Sequence, residues 1–298
     1  MTRFHLLIAF VLLLCVSMWT QDEPLNPTSY SFQDVQFTGD TFTQLLGINN
    51  AGVIAGYHNF ALNSGFRLVL PKDFTTENDP LGAQGTQVIG INNSDFTVGF
   101  FVDKNGKTHG FERNPSSGVY GTVGFPGTIF NQLLGVNDKG QASGYYSNSI
   151  NNTTPDFPYI YDIGGQVFEV IYIPGAVGGA QATGINNSQQ VSGFYIDKNN
   201  VNHGFFLSFG SLTTLDYPGS IFTQALGLNN VNEVVGVYQD RSGASHGFVY
   251  NTVTKKYQSV DDPNGVGTTV VNGTNDKHKL VGFWGTNPNN TGFVATPE

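Results

Sequence analysis

The sequence predicts an all-β fold, a six-bladed β-propeller with four antiparallel strands in each blade. A short motif recurs six times, its copies lie 43 to 49 residues apart, and each period holds four short strand-like segments. Periods of this length with four strands are typical of propeller blades. No stretch after residue 20 shows the apolar periodicity of a helix.

The recurring motif is Gly-Ile-Asn-Asn or a close variant of it. Its glycines are Gly47, Gly90, Gly135, Gly184, Gly227 and Gly273. A second glycine follows nine residues later in every copy. A fixed internal spacing within a variable period indicates one supersecondary unit that was copied with loop insertions.

Each unit is predicted to hold four strands, which we call a to d. Strand a leads into the motif and is apolar on both faces, as expected of a strand between neighbouring sheets. The Asn pair forms a turn because Asn tolerates the left-handed conformation. Strand b carries the second glycine, strand c a Gly-Phe pair in five copies, and strand d ends in a Pro-Gly or similar turn. The third unit differs, with an insertion through 147–157 and Tyr159-Ile160-Tyr161 in place of Gly-Phe.

The two ends of the chain predict how the ring closes. The sequence stops just after strand c of the sixth unit, and residues 32–39 match the missing strand d. An N-terminal strand completing the last blade would close the ring and remove the open sheet edges. Residues 30–298 are therefore predicted to form a single propeller domain, with an open β-solenoid as the alternative.

Residues 1–20 are predicted to be a secretory signal peptide, followed by a linker over 21–29. Arg3 and His5 precede an apolar run that is too short for a comfortable membrane span. We therefore expect a secreted, periplasmic or cell-surface protein. An uncleaved anchor and, through Cys15, a lipoprotein signal are the alternatives.

The composition narrows the classes of partner and chemistry. Cys15 is the only cysteine, so the exported part is expected to have no disulfide, thiol nucleophile or Cys-ligated metal. The net charge of −9 argues against nucleic acids and anionic membranes as partners. We expect a monomer with no cofactor, no metal and no membrane contact beyond the signal segment.

The order of motifs within a unit resembles a known family. Gly-Ile-Asn-Asn, then Val-Gly-x-Tyr, then Asp-x-x-Gly-x-x-His-Gly-Phe resembles the HAF-type "probable extracellular repeat" of bacterial exported proteins. The third motif stands here at 109–111, 203–205 and 246–248, with Gly where the family's name has Ala. The resemblance covers roughly residues 40–295. It implies export and a propeller-like fold, and it implies no substrate.

A glutamine stands three positions before the motif glycine in five of the six units. These residues are Gln44, Gln87, Gln132, Gln181 and Gln224, and the sixth unit has Val270. Strand a is expected to be innermost, so the amides would ring the central channel and could bind a sugar, water or an anion. The alternative is hydrogen bonding between neighbouring blades, because buried polar groups must be paired.

Three histidines each follow an aspartate by six residues. The pairs are Asp103 with His109, Asp197 with His203 and Asp240 with His246. A general acid/base or a metal site is one interpretation. A structural clip across the b–c hairpin is favoured, because three equivalent catalytic sites in one chain are implausible. His58 and His278 fit no position of the repeat and are expected to be exposed.

The first Asn of the turn is present in all six units. The residues are Asn49, Asn92, Asn137, Asn186, Asn229 and Asn275. Catalysis needs one asymmetric site, so a residue repeated six times is expected to be architectural.

The predicted function follows from the loops that share one face of a propeller. The d–a and b–c loops and the starts of strand a would meet at a concave channel mouth, overhung by the 147–157 insertion beside Tyr145 and Tyr146. We expect a noncatalytic exported binding or interaction module for a carbohydrate or protein ligand. The alternatives are a hydrolase or lyase acting on polysaccharide, and a structural surface protein.

Overall fold

The computed structural model describes residues 27, 29–149 and 155–298, and this part of the chain is built from strands without any helix. No helix able to span a membrane is present in these ranges. The predicted signal segment, residues 1–20, lies outside the described residues.

The described residues contain 24 strands. The first twelve are β1 (Tyr30–Val35), β2 (Thr43–Ile48), β3 (Ile54–His58), β4 (Ser64–Val69), β5 (Asp73–Thr76), β6 (Thr86–Ile91), β7 (Thr97–Val102), β8 (Thr108–Arg113), β9 (Tyr120–Val123), β10 (Phe130–Val136), β11 (Gln141–Ser147) and β12 (Phe157–Asp162). The others are β13 (Val167–Val170), β14 (Gly179–Ile185), β15 (Val191–Ile196), β16 (Asn202–Ser208), β17 (Ser211–Leu215), β18 (Phe222–Leu228), β19 (Glu233–Gln239), β20 (Ser245–Asn251), β21 (Tyr257–Val260), β22 (Val270–Thr274), β23 (Leu280–Thr286) and β24 (Asn289–Pro297).

Each sequence repeat folds into an antiparallel meander of four strands. We number the repeats one to five by their strands β2–β5, β6–β9, β10–β13, β14–β17 and β18–β21; repeat six consists of β22–β24 and β1. The motif glycine lies on the first strand of each meander, and the second glycine lies on the next strand.

The prediction of six separate four-stranded blades needs a correction. Four sheets have four strands each, but repeats two and three share one eight-stranded sheet. The two halves are joined by one parallel pair, between Thr108 at the start of β8 and Phe130 at the start of β10. The inner strand of repeat three thus begins close enough to repeat two to continue its hydrogen bonding.

The first strand of the chain pairs with the last. β1 runs antiparallel to β24 from Tyr30 opposite Pro297 to Val35 opposite Gly292. The backbone carbonyl of Ser29 also accepts a hydrogen bond from the N–H of Glu298 at 3.2 Å. The N-terminal strand is therefore the outer strand of the sheet formed by repeat six.

The hydrophobic core is divided among the boundaries between repeats. Six clusters of buried residues each combine side chains of two neighbouring repeats. One of these six joins repeat six to repeat one. In that cluster Val281 and Val294 pack with Leu45 and Phe66, and all four are at most 2% exposed. The apolar faces of the strands predicted from the sequence are thus buried against the neighbouring repeat.

The second glycine makes room for an aromatic ring from the next strand. A Cβ on Gly236 would lie 2.0 Å from the carbonyl oxygen of Gln224 and 2.8 Å from the ring of Phe248. Phe248 is the cross-strand partner of Gly236. In repeat three Tyr159 takes this place opposite Gly144. Repeat three lacks the Gly-Phe pair, and Tyr159 therefore preserves the same packing.

Candidate functional site

The first strands of all six repeats surround a central channel. Every one of them has a β-bulge just before the motif glycine, as between Leu45 and Gly47. The bulge places the intervening residue, Leu46 in repeat one, in the wall of the channel. Three cavities lie along these strands. Each shares lining residues with the next, so they follow one another along the channel.

The glutamine cavity is the part of the channel that the predicted amides line. Its volume is about 330 Å³. Its walls are formed by Gln44, Gln87, Gln132, Gln181, Gln224, Asn272, Tyr57, Phe100, Phe194, Leu46, Ile89, Leu134, Thr183 and Leu226. All five glutamines predicted from the sequence are therefore brought together.

Three aromatic residues of this cavity were not predicted as binding residues from the sequence. Tyr57, Phe100 and Phe194 directly follow the second glycine. Each is the cross-strand partner of a glutamine, as Tyr57 is of Gln44. The recurrence of a glutamine and an aromatic residue at these two positions is the signal that could have identified the pairs.

Four of the glutamines also connect neighbouring repeats. Their Nε2 groups donate to side-chain oxygens at or just before the start of the third strand of the adjacent repeat, at 2.7 to 3.1 Å. The pairs are Gln44 with Asn290, Gln87 with Asn63, Gln181 with Asp156 and Gln224 with Asn202. The two interpretations of the sequence, a channel ring and a bridge between repeats, thus describe the same side chains.

Gln132 differs from the other four. The residue at the position of its expected partner is Thr108, and within the described residues the amide of Gln132 has no hydrogen-bond partner. It is half-buried in the cavity wall. The Oε1 atoms of Gln87 and Gln224 likewise have no partner in this part of the chain. These amides can form hydrogen bonds to a ligand without breaking a contact within the protein.

Tyr145 and Tyr146 occupy two different environments. Tyr145 is the cross-strand partner of Gln132 and is only 7% exposed. Burial raises the pKa of its hydroxyl, and the nearby charge of Asp156 adds to this. Tyr146 instead stacks between Phe125 and Phe157, with ring centroids 3.8 and 5.1 Å away. Tyr146 belongs to this aromatic stack, and neither of the two tyrosines predicted as binding residues is among those lining the glutamine cavity.

The predicted overhanging insertion can be followed only in part. Residues 150–154 of the 147–157 insertion lie outside the described residues. At its end Asp156 accepts the hydrogen bond from Gln181. Burial raises the pKa of this carboxyl. The insertion therefore supplies a carboxylate next to the glutamine cavity.

The opposite end of the channel, the asparagine end, carries two cycles of hydrogen bonds. In the first, the Nδ2 of each motif Asn donates to the backbone carbonyl of the equivalent Asn in the next repeat, at 2.9 to 3.1 Å. The members are Asn49, Asn92, Asn137, Asn186, Asn229 and Asn275. Each Oδ1 accepts backbone N–H groups of its own turn, as Asn49 does from Ala51 and Val53. These residues are therefore architectural.

The residues that follow form the second cycle. Each backbone N–H donates to the Oδ1 of the next member at 2.8 to 2.9 Å. The members are Asn50, Asn93, Asp138, Asn187, Asn230 and Asp276. Burial opposes ionisation of Asp138, but hydrogen bonds from Asn187 and Asn93 hold its pKa below the ordinary value. The cavity at this end is only about 70 Å³.

The three predicted Asp-His pairs are present across their hairpins. The Nε2 of His109, His203 and His246 lies 3.2, 3.7 and 3.6 Å from the paired aspartate. Backbone N–H groups of Lys107 and Asn105 hold the pKa of Asp103 below its ordinary value. No group of three or more potential metal ligands occurs among the described residues. Each histidine thus faces its aspartate across the hairpin between the second and third strands.

The prediction that His58 and His278 are exposed is wrong. The Nδ1 of His58 lies 2.9 Å from Asp40, its side chain is 14% exposed and its ring stacks on Phe37 at 3.5 Å. The Nδ1 of His278 lies 2.8 Å from the buried carboxylate of Glu233. Burial raises the pKa of Glu233, against the effect of the hydrogen bond from His278. Both imidazoles are held by carboxylates distant in the sequence.

The sequence matches no protein-family model and no curated protein. Its structure is similar to AofleA from Arthrobotrys oligospora, with 11% identity, 89% of this chain and 86% of that chain covered, and a TM-score of 0.56. It is also similar to TolB from Acinetobacter baumannii, with 10% identity, 88% and 65% covered, and a TM-score of 0.55. The β-propeller domain of the trilobed protease from Pyrococcus furiosus gives 10% identity, 86% and 84% covered, and a TM-score of 0.51. The chain therefore has a β-propeller fold.

Proposed function

We propose that this protein is a noncatalytic binding propeller whose six repeats form one closed ring, and that its ligand enters the glutamine cavity. The observation that carries the proposal is the composition of that cavity: the amides of five glutamines and Asn272 meet three aromatic rings in about 330 Å³. A carbohydrate or a protein loop fits this lining, because amides pair with neutral polar groups and aromatic rings cover apolar surface. Carbohydrate is the first class to test.

The orientation of the amides supports a ligand rich in hydrogen-bond donors. Four Nε2 groups are used within the protein, which leaves the Oε1 atoms of Gln87 and Gln224 as acceptors. Sugar hydroxyls are donors of this kind. Gln132 adds an amide of which neither group has a partner among residues 27, 29–149 and 155–298. The cavity thus offers several acceptors around an aromatic wall.

Export is part of the proposal. The apolar N-terminal run and the resemblance of the repeats to HAF-type extracellular repeats both favour a secreted, periplasmic or surface protein. A glycan would be a natural ligand outside the cytoplasm. Detection of the mature protein in the culture medium or periplasm, with a new N-terminus after residue 20, would test this element separately.

A thermal-shift screen of the purified protein against a glycan panel tests the binding function. A ligand at a hundred times its dissociation constant adds about 2.7 kcal/mol to the free energy of unfolding. We expect Gln132→Ala to lose the shift, and Gln33→Ala, on the exposed face of β1, to retain it. Equal shifts in both variants would place the ligand elsewhere. Cleavage of a polysaccharide by the protein would instead favour the hydrolase or lyase alternative.

A further inference from the structure

The fourth and fifth repeats hold a histidine between two carboxylates. In repeat four the Nδ1 of His203 lies 2.9 Å from Asp216, and its Nε2 lies 3.7 Å from Asp197. Repeat five uses the equivalent set of His246, Asp261 and Asp240, at 2.9 and 3.6 Å. One carboxylate comes from the hairpin, and the other directly follows the last strand of the repeat. In both repeats Nδ1 is hydrogen-bonded to one carboxylate, and Nε2 faces the other.

The second repeat lacks the second carboxylate. The Nε2 of His109 is paired with Asp103 at 3.2 Å. Val123 pairs with Gly110 in the way that Leu215 pairs with Gly204, so Gly124 stands where repeat four has Asp216. A Cβ on Gly124 would meet no heavy atom within 4 Å. The Nδ1 of His109 thus has no partner among the described residues, and the space for one is open.

A cavity of about 400 Å³ lies at this histidine. Pro80, Leu81, Ala83 and Phe101 supply apolar surface, and Lys104 supplies an ammonium group. Phe101 stacks against the imidazole of His109 with the ring centroids 5.2 Å apart. The cavity therefore combines an apolar wall with an imidazole and an ammonium group that can bind an anion, and the carboxylate of Asp103, paired with His109, also lines it.

We propose that this cavity binds a small carboxylate with an apolar body, such as an aromatic or short-chain aliphatic acid. The ligand carboxylate takes the place that Asp216 fills in repeat four and accepts a hydrogen bond from the Nδ1 of His109. An imidazole between two carboxylates is the arrangement of repeats four and five, so Asp103 is compatible with such a ligand. The site is independent of the glutamine cavity and shares no lining residue with it.

Benzoate is the probe, with benzamide as its neutral isostere. Titration of the full protein through the millimolar range, followed by the ring-nitrogen NMR signals of His109, should show saturation with benzoate and a much weaker response to benzamide. The affinity expected for so small a ligand is millimolar.

Gly124→Asp supplies the missing carboxylate from the protein itself. Because aspartate occupies this position in two other repeats, the variant is expected to fold, and its melting temperature checks this. Benzoate affinity should fall about tenfold or more. The ligand loses one charge-assisted hydrogen bond, and the added aspartate also repels its carboxylate. Thr75→Asp adds the same charge at an exposed position of repeat one and should leave affinity unchanged.

Three results would overturn the proposal. They are equal benzoate affinity in the wild type and Gly124→Asp, equal responses to benzoate and benzamide, and no response of His109 to benzoate or hexanoate through the millimolar range.

Discussion

Asn275 donates a hydrogen bond of 2.9 Å from its Nδ2 to the backbone carbonyl of Asn49, 226 residues earlier in the chain. This contact has the same geometry as the five that join consecutive repeats. The last repeat therefore meets the first in the way that every other repeat meets its successor.

Replacement of Asn275 by Ala should destabilise the whole domain. It removes the contact to Asn49 and leaves the N–H groups of Lys277 and Lys279 without their acceptor. We expect a loss of about 2–4 kcal/mol, since buried groups deprived of a partner cost about 1–3 kcal/mol each. Urea unfolding measures this. Asn137→Ala, within the chain, is the matched control, and a harmless Asn275→Ala beside a costly Asn137→Ala would contradict closure of the ring.

Gly236→Ala, which adds one methyl group, should lower the stability of the protein more than most substitutions of this size. The new Cβ would lie 2.0 Å from the carbonyl oxygen of Gln224 and 2.8 Å from Phe248. Strand separation or ring displacement is expected to cost about 3 kcal/mol, at the upper range for overpacking. Gly124→Ala is the control, because its Cβ would meet nothing within 4 Å. Comparison of the two melting temperatures tests the packing, and similar values would contradict it.

Glu233→Gln should change how stability depends on pH. Burial raises the pKa of Glu233 above its ordinary value of 4.5, so its contribution to stability is fully present below about pH 4.5 and is lost as pH rises through the folded-state pKa. The glutamine variant should lack this decline, and Gln141 and Gln190 already accept the equivalent hydrogen bonds in other repeats.

Urea unfolding between pH 4 and pH 7 would measure the difference between wild type and Glu233→Gln. Glu169→Gln, the same change on an exposed strand, is the control and should follow the wild-type profile. Parallel profiles for all three proteins would show that the Glu233 carboxyl does not contribute to the pH dependence.

Gln44→Ala and Gln132→Ala should separate structural from binding roles within the glutamine cavity. Gln44 donates to Asn290 and accepts from the hydroxyl of Tyr57, so its loss should cost about 1–2 kcal/mol. Gln132 has neither contact in the described part of the chain, and its loss should stay within about 0.5 kcal/mol. Denaturant titration of both variants gives the comparison. An equal cost would mean that Gln132 has a structural role as well.

Much of the repeat architecture could be predicted from the sequence because it depends on local spacing. The second glycine makes room for a ring of its own repeat, and the Oδ1 of the turn Asn accepts N–H groups of its own turn, so both recur at fixed distances. The position of Gln44 and its equivalents followed from the same spacing. Their dual role did not, because a neighbouring repeat supplies the partner Asn290 or Asn63.

The parts that sequence reasoning missed depend on contacts between distant segments. His58 occupies the position at which other repeats have an aromatic residue, and its ring stacks in the same way, on Phe37. Its partner Asp40 lies in the preceding loop, whereas the partner of His278 is Glu233, 45 residues away. The parallel pair between Thr108 and Phe130 likewise has no counterpart in the spacing of the motifs.

The hydrogen bond between Ser29 and Glu298 means that the linear order of the repeats is arbitrary with respect to the fold. A short peptide joining these two positions would turn the chain into a circle without moving a strand. The chain could then be opened at an exposed turn between two sheets, such as the one at Pro174 and Gly175 before β14, and every contact between repeats would persist. Such a circular permutant would begin with a complete sheet, in which each strand follows the one it pairs with.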